Sequence, residues 1–267
     1  MVIIDQMIQN AKTAGYDETT AEAKVCQDII LFLISQSTLN RNITIKGGVV
    51  MRGISNNARR ATLDVDLDFI RYPLQDESIL YFIETLNALG IVKIEVIGSI
   101  EELKQQDYHG KRIHVKITDS KHRILQSKID LGVHKHFDLA QEEYCFDIGL
   151  NDDGATLLIN TKEQMLTEKL RSILKFGPLS TRYKDIFDIY YLSSLIDKSN
   201  LLQCFDLLIY SDAGMKENSL QDILKRVTNT FKNKSYRRYL ATSQKNWLNV
   251  DIDIALQAII DFLISLA

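Results

Sequence analysis

The sequence predicts an α+β protein in two parts, on three observations. Runs with a period of two, the mark of strands, fall in the first half of the chain, between about residues 43 and 133. From residue 162 to the end the apolar residues keep helical spacing without interruption. The composition is that of an ordinary globular chain: 267 residues, 45% hydrophobic and 25% charged, with only 2 Pro and 12 Gly. A chain of this length holds a sizeable core and two subdomains. We place a mixed α+β domain with N-terminal helices over residues 1–155 and an all-helical domain over 156–267, with no internal repeat and no low-complexity linker.

Residues 2–14 and 18–37 are spaced as helices, the second opened by the capping candidates of "GYDETT". "NITIKGGVVM" reads as a short strand running into a glycine turn and a helix start. "ATLDVDLDFI" is the next strand, ended by Pro73. Residues 76–89 form an amphipathic helix opened by acids and stopped by Gly90. The runs 92–100, 111–118 and 124–133, separated by polar turns, suggest an antiparallel meander. The stretch 135–160 is read as variable. Helices follow at 162–175, 181–196, 201–210, 219–231, 234–247 and 251–266.

Net charge is −3, which excludes a generally basic nucleic-acid binder and leaves only local binding of that kind. Cys26, Cys145 and Cys204 are odd in number and widely spaced, so they read as reduced thiols of a cytoplasmic protein and not as a disulfide or zinc framework. "MVIIDQMIQNAK" lacks the features of a signal peptide, and "IILFLIS" is too short to span a bilayer. The five histidines (109, 114, 122, 134, 136) cluster among the strands. His134 and His136 have no evident third metal ligand and read as part of a solvent-facing turn.

The chemistry lies in "RATLDVDLDF". On a strand, Asp64, Asp66 and Asp68 share one face and Val65, Leu67 and Phe69 the other. Carboxylates at i and i+2 lie about 6.6 Å apart along the backbone and can converge on a hard divalent cation. Asp64 and Asp68, about 13 Å apart, cannot share one ion without a bulge. Asp68 therefore reads as a flanking charge or a support for the pair. Asp130, between Ile129 and Leu131 in mid-strand, is the candidate third carboxylate, since such a group is costly unless paired or metal-bound. The bland reading of 64–68 is an exposed edge strand kept soluble by its charge. Upstream, Gly47 and Gly48 allow a close backbone approach, and the helix start after them presents free N–H groups to an anion.

"KGGVVMRGISNNARRATLDVDLDF" resembles the nucleotidyltransferase superfamily signature of a glycine pair followed by D-x-D, and more closely the AbiEii/AbiGii toxin family. The matching positions are Lys46, Gly47, Gly48, Arg60, Thr62, Asp64 and Asp66. "EQMLTEKLRSIL", with Lys169, resembles a second family motif, and "RYKDIFDIYYL", with Asp185 and Asp188, another. Val49 stands where Thr is usual, and Lys184 where Arg often precedes the aspartate. The resemblance implies a polymerase-β-like mixed-sheet domain followed by a helical domain, with the active cleft between them. It implies a transferase moving an NMP unit from an NTP with loss of pyrophosphate, using Mg²⁺ (or Mn²⁺) on Asp64, Asp66 and Asp130. Lys46, Gly47, Gly48, Arg60 and Thr62 would face the NTP phosphates, Lys169 would neutralise phosphate charge, and Asp185 would reach the site. Asp188 is open between the site and a structural pairing with Arg182 or Lys184. Asp130 is the candidate general base. The family further implies the toxin of a toxin–antitoxin, abortive-infection (phage-defence) pair. Its acceptor is expected at the 3′ end of tRNA, and its partner is an antitoxin of winged-helix repressor type.

The rivals are a small-molecule transferase of the antibiotic-modifying kind and a catalytically inactive nucleotide-binding module. Two further stretches invite RNA or triphosphate contacts. One is the cationic loop 174–184. The other is "FKNKSYRRYLATSQKNW" (231–247), whose alternative is a solvated helix with its aromatics packed inward.

Overall fold

The computed structural model describes residues 3–103 and 110–266, so His109 lies outside the described residues. The chain divides after Asn160 into two compact units.

The first unit opens with helices α1 (Ile4–Thr13) and α2 (Glu18–Gln36). Asp17 caps α2 by accepting from the Thr20 amide at 2.8 Å, and Asp119 accepts from the first amide of α1, at Ile4, at 3.0 Å. Strand β1 (Ile43–Lys46) runs directly into α3 (Gly47–Ser55), which ends at Asn56 in the left-handed conformation. Strand β2 (Val65–Phe69), helix α4 (Asp76–Asn87) and strands β3 (Lys93–Leu103), β4 (Gly110–Thr118) and β5 (Ile124–Val133) follow. The stretch read as variable contains two further strands, β6 (Gln141–Phe146) and β7 (Ala155–Asn160). β7 pairs with β1, more than a hundred residues away, through Thr44↔Leu158 and Ile45↔Ile159. Such a short apolar run has no local signature that separates strand from helix.

The seven strands form one mixed sheet in the order β3-β4-β5-β2-β1-β7-β6. β3, β4 and β5 make the antiparallel meander, and β2 joins β5 in parallel and β1 in antiparallel register. β2 is therefore central, which removes the edge-strand reading of its aspartates. One face of the sheet is apolar: Ile45, Leu67, Leu131, Ile113 and Val115 lie on it and are fully or almost fully buried. Phe82 of α4 covers it with an edge-on contact to Phe69, ring centres 5.6 Å apart. The other face of β1, β2, β5 and β4 is polar.

The second unit is helical: α5 (Lys162–Phe176), α6 (Tyr183–Leu192), α7 (Lys198–Phe205), α8 (Leu220–Lys232), α9 (Lys234–Thr242) and α10 (Ile252–Ile264). Thr161, Asp197, Ser219, Asn233 and Asp251 cap α5, α7, α8, α9 and α10 with side-chain acceptors. α5 packs on α6, α7 and α8, and α10 on α6 and α8. α9 ends at Thr242, five residues short of the helix expected from spacing, because Gln244 and Asn249 take positive φ and turn the chain. Among the described residues no helix is long and apolar enough to cross a membrane.

Candidate active site

Strand register builds the polar face into a row. Lys46 of β1 sits opposite Asp66 of β2, Asp66 beside Asp130 of β5, and Asp130 opposite Arg112 of β4. The order of charge is plus, minus, minus, plus. Neighbouring strands lie about 4.8 Å apart, and like charges at that spacing repel, so the Asp66–Asp130 pair works against folding. Arg112 offsets it by gripping Asp130 at two points, Nε to Oδ1 at 2.7 Å and Nη2 to Oδ2 at 2.8 Å. Its hydrogen bonds to Asp130 hold the Arg112 guanidinium above its ordinary value against the opposing effect of burial, and the charges of Asp130, Asp64 and Glu101 add to them.

Each of the three aspartates has a different neighbour. Asp64, just before β2 and partly exposed, pairs with Lys128 of β5 at 2.9 Å. Asp68, buried, pairs with Lys46 at 2.6 Å, so the residue whose purpose spacing left open is the counterion of the motif lysine. Asp66 lies against the turn that opens α3. A Cβ at Gly47 would come within 2.4 Å of Asp66 Oδ2, and the φ of Gly47 is +64°, so glycine is required there twice over. A Cβ at Gly48 would come within 2.5 Å of Thr62 Oγ1. The glycine pair thus makes room for the carboxylate and threonine of its own motif.

Helix α2 fixes the approach to the acidic strand. The side chain of Gln27, fully buried, donates to the carbonyl of Thr62 at 2.8 Å. Arg60, in a short 3₁₀ turn (58–60), is also buried. His134, expected in a solvent-facing turn, is buried too: its amide donates to Phe69 O at 2.9 Å, which continues the β2–β5 pairing past the end of β5. Burial pushes its imidazole below the ordinary value, and the charge of Asp68 pulls the other way.

In the second unit the two remaining motifs meet. Lys169 of α5 places its ammonium 3.0 Å from Asp185 and 2.7 Å from Asp188, both on α6. Asp188 has no solvent exposure and also accepts from the Trp247 indole N–H at 3.0 Å. Arg182 reaches Asp185 at 3.2 Å. Asp188, left open by spacing, therefore pins a distant aromatic to the motif lysine.

The model of the family described as the nucleotidyl transferase AbiEii toxin, type IV TA system, matches residues 29–257. The chain belongs to that family. It is an AbiEii nucleotidyltransferase, of a family of type IV toxin–antitoxin toxins, and an antitoxin and an NTP are the partner and substrate of such a protein. No curated protein matches it. A solved structure, an antigenic nucleotidyltransferase-like protein from Paracoccidioides brasiliensis, is similar at 16% identity with a TM-score of 0.48, over 82% of this chain and 91% of that one.

Of the residues singled out in this AbiEii chain, Lys46, Gly47, Gly48, Thr62, Asp64, Asp66 and Asp130 come together on the polar face and its edge, and Lys169 and Asp185 come together in the helical unit. Spacing did not single out Arg112, Lys128 or Gln27. A signal for Arg112 exists: Arg112, His114 and Lys116 alternate on β4 as Asp64, Asp66 and Asp68 do on and before β2, with cations at Arg112 and Lys116. Gln27 gives no such signal, because a buried helix glutamine looks like any other.

Proposed function

We propose that this transferase moves an NMP unit from an NTP to the 3′ end of tRNA with Mg²⁺ as its cofactor, and so stops translation. The observation that supports this reading is the in-register pair of Asp66 and Asp130 in the middle of the sheet, with Asp64 one step away and Gly47 moulded to Asp66. A folded protein keeps an arrangement that opposes its own stability where chemistry uses it. Asp64 and Asp66 offer hard oxygen donors suited to Mg²⁺, an ion that commonly takes one or two carboxylates and completes its shell with phosphates and water. Among the described residues no group of three or more acidic, histidine or cysteine side chains is placed to hold a metal ion. Mg²⁺ or Mn²⁺, when bound, supplies positive charge to the phosphates.

The chain's own residues do the rest. The acceptor hydroxyl oxygen bonds to the α-phosphorus as the bond to the pyrophosphate oxygen breaks, and the hydroxyl proton must leave. Asp130, oriented by Arg112, is the carboxylate we assign to take that proton, and it joins Asp64 and Asp66 as the third carboxylate of the set. The amides that open α3 and the Lys46 ammonium suit phosphate oxygens, and Arg60 and Thr62 shape the same turn. Lys169 and Asp185 enter the proposal from the family motifs they occupy, Lys169 as a neutraliser of phosphate charge. We assign the protein to the cytoplasm, a phage-defence role and an antitoxin of winged-helix repressor type.

Labelled NTPs incubated with total tRNA test the reading. Transfer of label to tRNA, lost in Asp64→Ala, is expected. Label on an aminoglycoside with none on RNA would replace the acceptor by a small molecule. Equal growth inhibition by wild type and Asp64→Ala would remove the catalytic account altogether.

A further inference from the structure

Residues 223–250 contain seven Lys or Arg and no Asp or Glu, in a chain with more acids than bases. This acid-free run forms most of α8, all of α9 and the turn after it. Three of its cations have local partners. Lys225 acts on Asp222, Arg226 donates to the carbonyl of Leu174 at 3.0 Å, and Arg237 pairs with Asp253. The other four, Lys232, Lys234, Arg238 and Lys245, are exposed and form no ion pair among the described residues. Tyr236 and Trp247 pack inward, Tyr236 stacking on Phe231, which fixes α9 as a rigid support for the charges. Tyr239 instead points outward, about half exposed, with the Arg238 guanidinium 5.1 Å from its ring centre.

We infer that the α8–α9 face is the surface on which the phosphodiester backbone of the RNA acceptor docks, with Tyr239 as a stacking platform for an unpaired base. The inference rests on the proposed tRNA acceptor. Four cations without an ion pair, on a run of chain that holds no acid, form a local positive field within an acidic protein, suited to a polyanion. A protein partner fits less well, because interface cores are depleted in Lys and need apolar anchors. Tyr239 is the one large apolar side chain exposed within residues 223–250. A membrane surface would likewise need an apolar stripe to insert. An exposed tyrosine next to an arginine matches what single-stranded RNA ends use for stacking.

The test measures deacylated tRNA binding to the full chain by fluorescence anisotropy from about 50 to 300 mM KCl. Wild type is compared with Lys232→Gln/Lys234→Gln/Lys245→Gln, the corresponding Glu triple, and Tyr239→Ala. Because these side chains are solvent-exposed, the Gln triple is expected to keep the wild-type melting temperature, which provides a folded variant even if the Glu triple is disturbed. The expected result is at least about tenfold weaker binding by the Gln triple at low salt, with the slope of log K against log salt shallower by about 2 to 3. Tyr239→Ala is expected to weaken binding of tRNA with its 3′ CCA end more than binding of a tRNA lacking it. Wild-type binding with no change of affinity or slope in either triple overturns this inference and leaves the tRNA acceptor standing. Absence of tRNA binding by wild type overturns the acceptor reading itself, and this face with it. Loss of antitoxin binding with RNA binding intact would assign the face to a protein and also overturn the inference.

Discussion

The two units both gather buried charge, but they do it in opposite ways. In the first, β-sheet register sets two carboxylates side by side, Asp66 and Asp130, and flanks them with Lys46 and Arg112. The row stays partly open, with Asp64 and Asp66 half-buried. In the second, Lys169 is enclosed by Asp185 and Asp188, and Asp188 spends its other oxygen on Trp247. The first arrangement sets two carboxylates side by side with their cations at the ends of the row, whereas in the second one ammonium lies between two carboxylates. The acids of the sheet stand side by side, whereas the acids of the helical unit share a cation.

Five substitutions, one of them a control, probe that contrast. Asp188→Ala in the helical unit should have the largest effect, about 3 kcal/mol or more of lost stability, because it leaves a buried indole N–H without its acceptor and takes from the Lys169 ammonium one of its two carboxylates on α6. Urea unfolding measures it, and a loss below about 1 kcal/mol would show that the cluster is not architectural. Asp66→Asn in the sheet should behave in the opposite sense. Transfer activity should fall by at least about 10²-fold, the scale on which even the supports of metal ligands act, while the melting temperature holds or rises as the repulsion from Asp130 disappears. A clear drop in melting temperature would mean that Asp66 is held for stability.

Gly47→Ala is next, at about 1–3 kcal/mol with loss of activity, since it combines a left-handed backbone with a collision into Asp66. Gly90→Ala is its control: φ is +65° with nothing within 4 Å of the added carbon, so about 1 kcal/mol and normal activity are expected. Equal effects of the two would remove the special role of the turn.

The smallest effect concerns Asp119, which tethers α1 to the turn after β4. Burial alone would raise its carboxyl, but backbone donors at Ile4, Arg123 and Lys121 hold it below the ordinary value. Its native value therefore lies under the unfolded one, about 3.9. Its contribution is complete above that pH and fades as pH falls through the native value. Asp119→Asn should cost on the order of 1 kcal/mol at neutral pH and leave a flatter acid limb in the stability curve. An unchanged limb would exclude Asp119 as the tether.

Much of this could be read from residues alone, and the limits are physical. Alternation along 64–69 showed which side chains share a face, and it showed that Asp64 and Asp68 stand too far apart to act together. The KGG run, the D-x-D pair and the lysine helix carried the resemblance that the family match over 29–257 agrees with. Those signals are local, and local spacing is set by the backbone itself. The partners of those residues were decided only by the fold. Asp130 meets Asp66 across 64 positions of sequence, Arg112 closes on Asp130, Asp68 turns out to neutralise Lys46, and β7 reaches β1 from a stretch with no strand pattern of its own. A period of two assigns each side chain to a face of the sheet, but it cannot say which strand lies alongside or in which register. That choice belongs to the packed sheet, where β2 becomes central and Asp66 comes to lie beside Asp130.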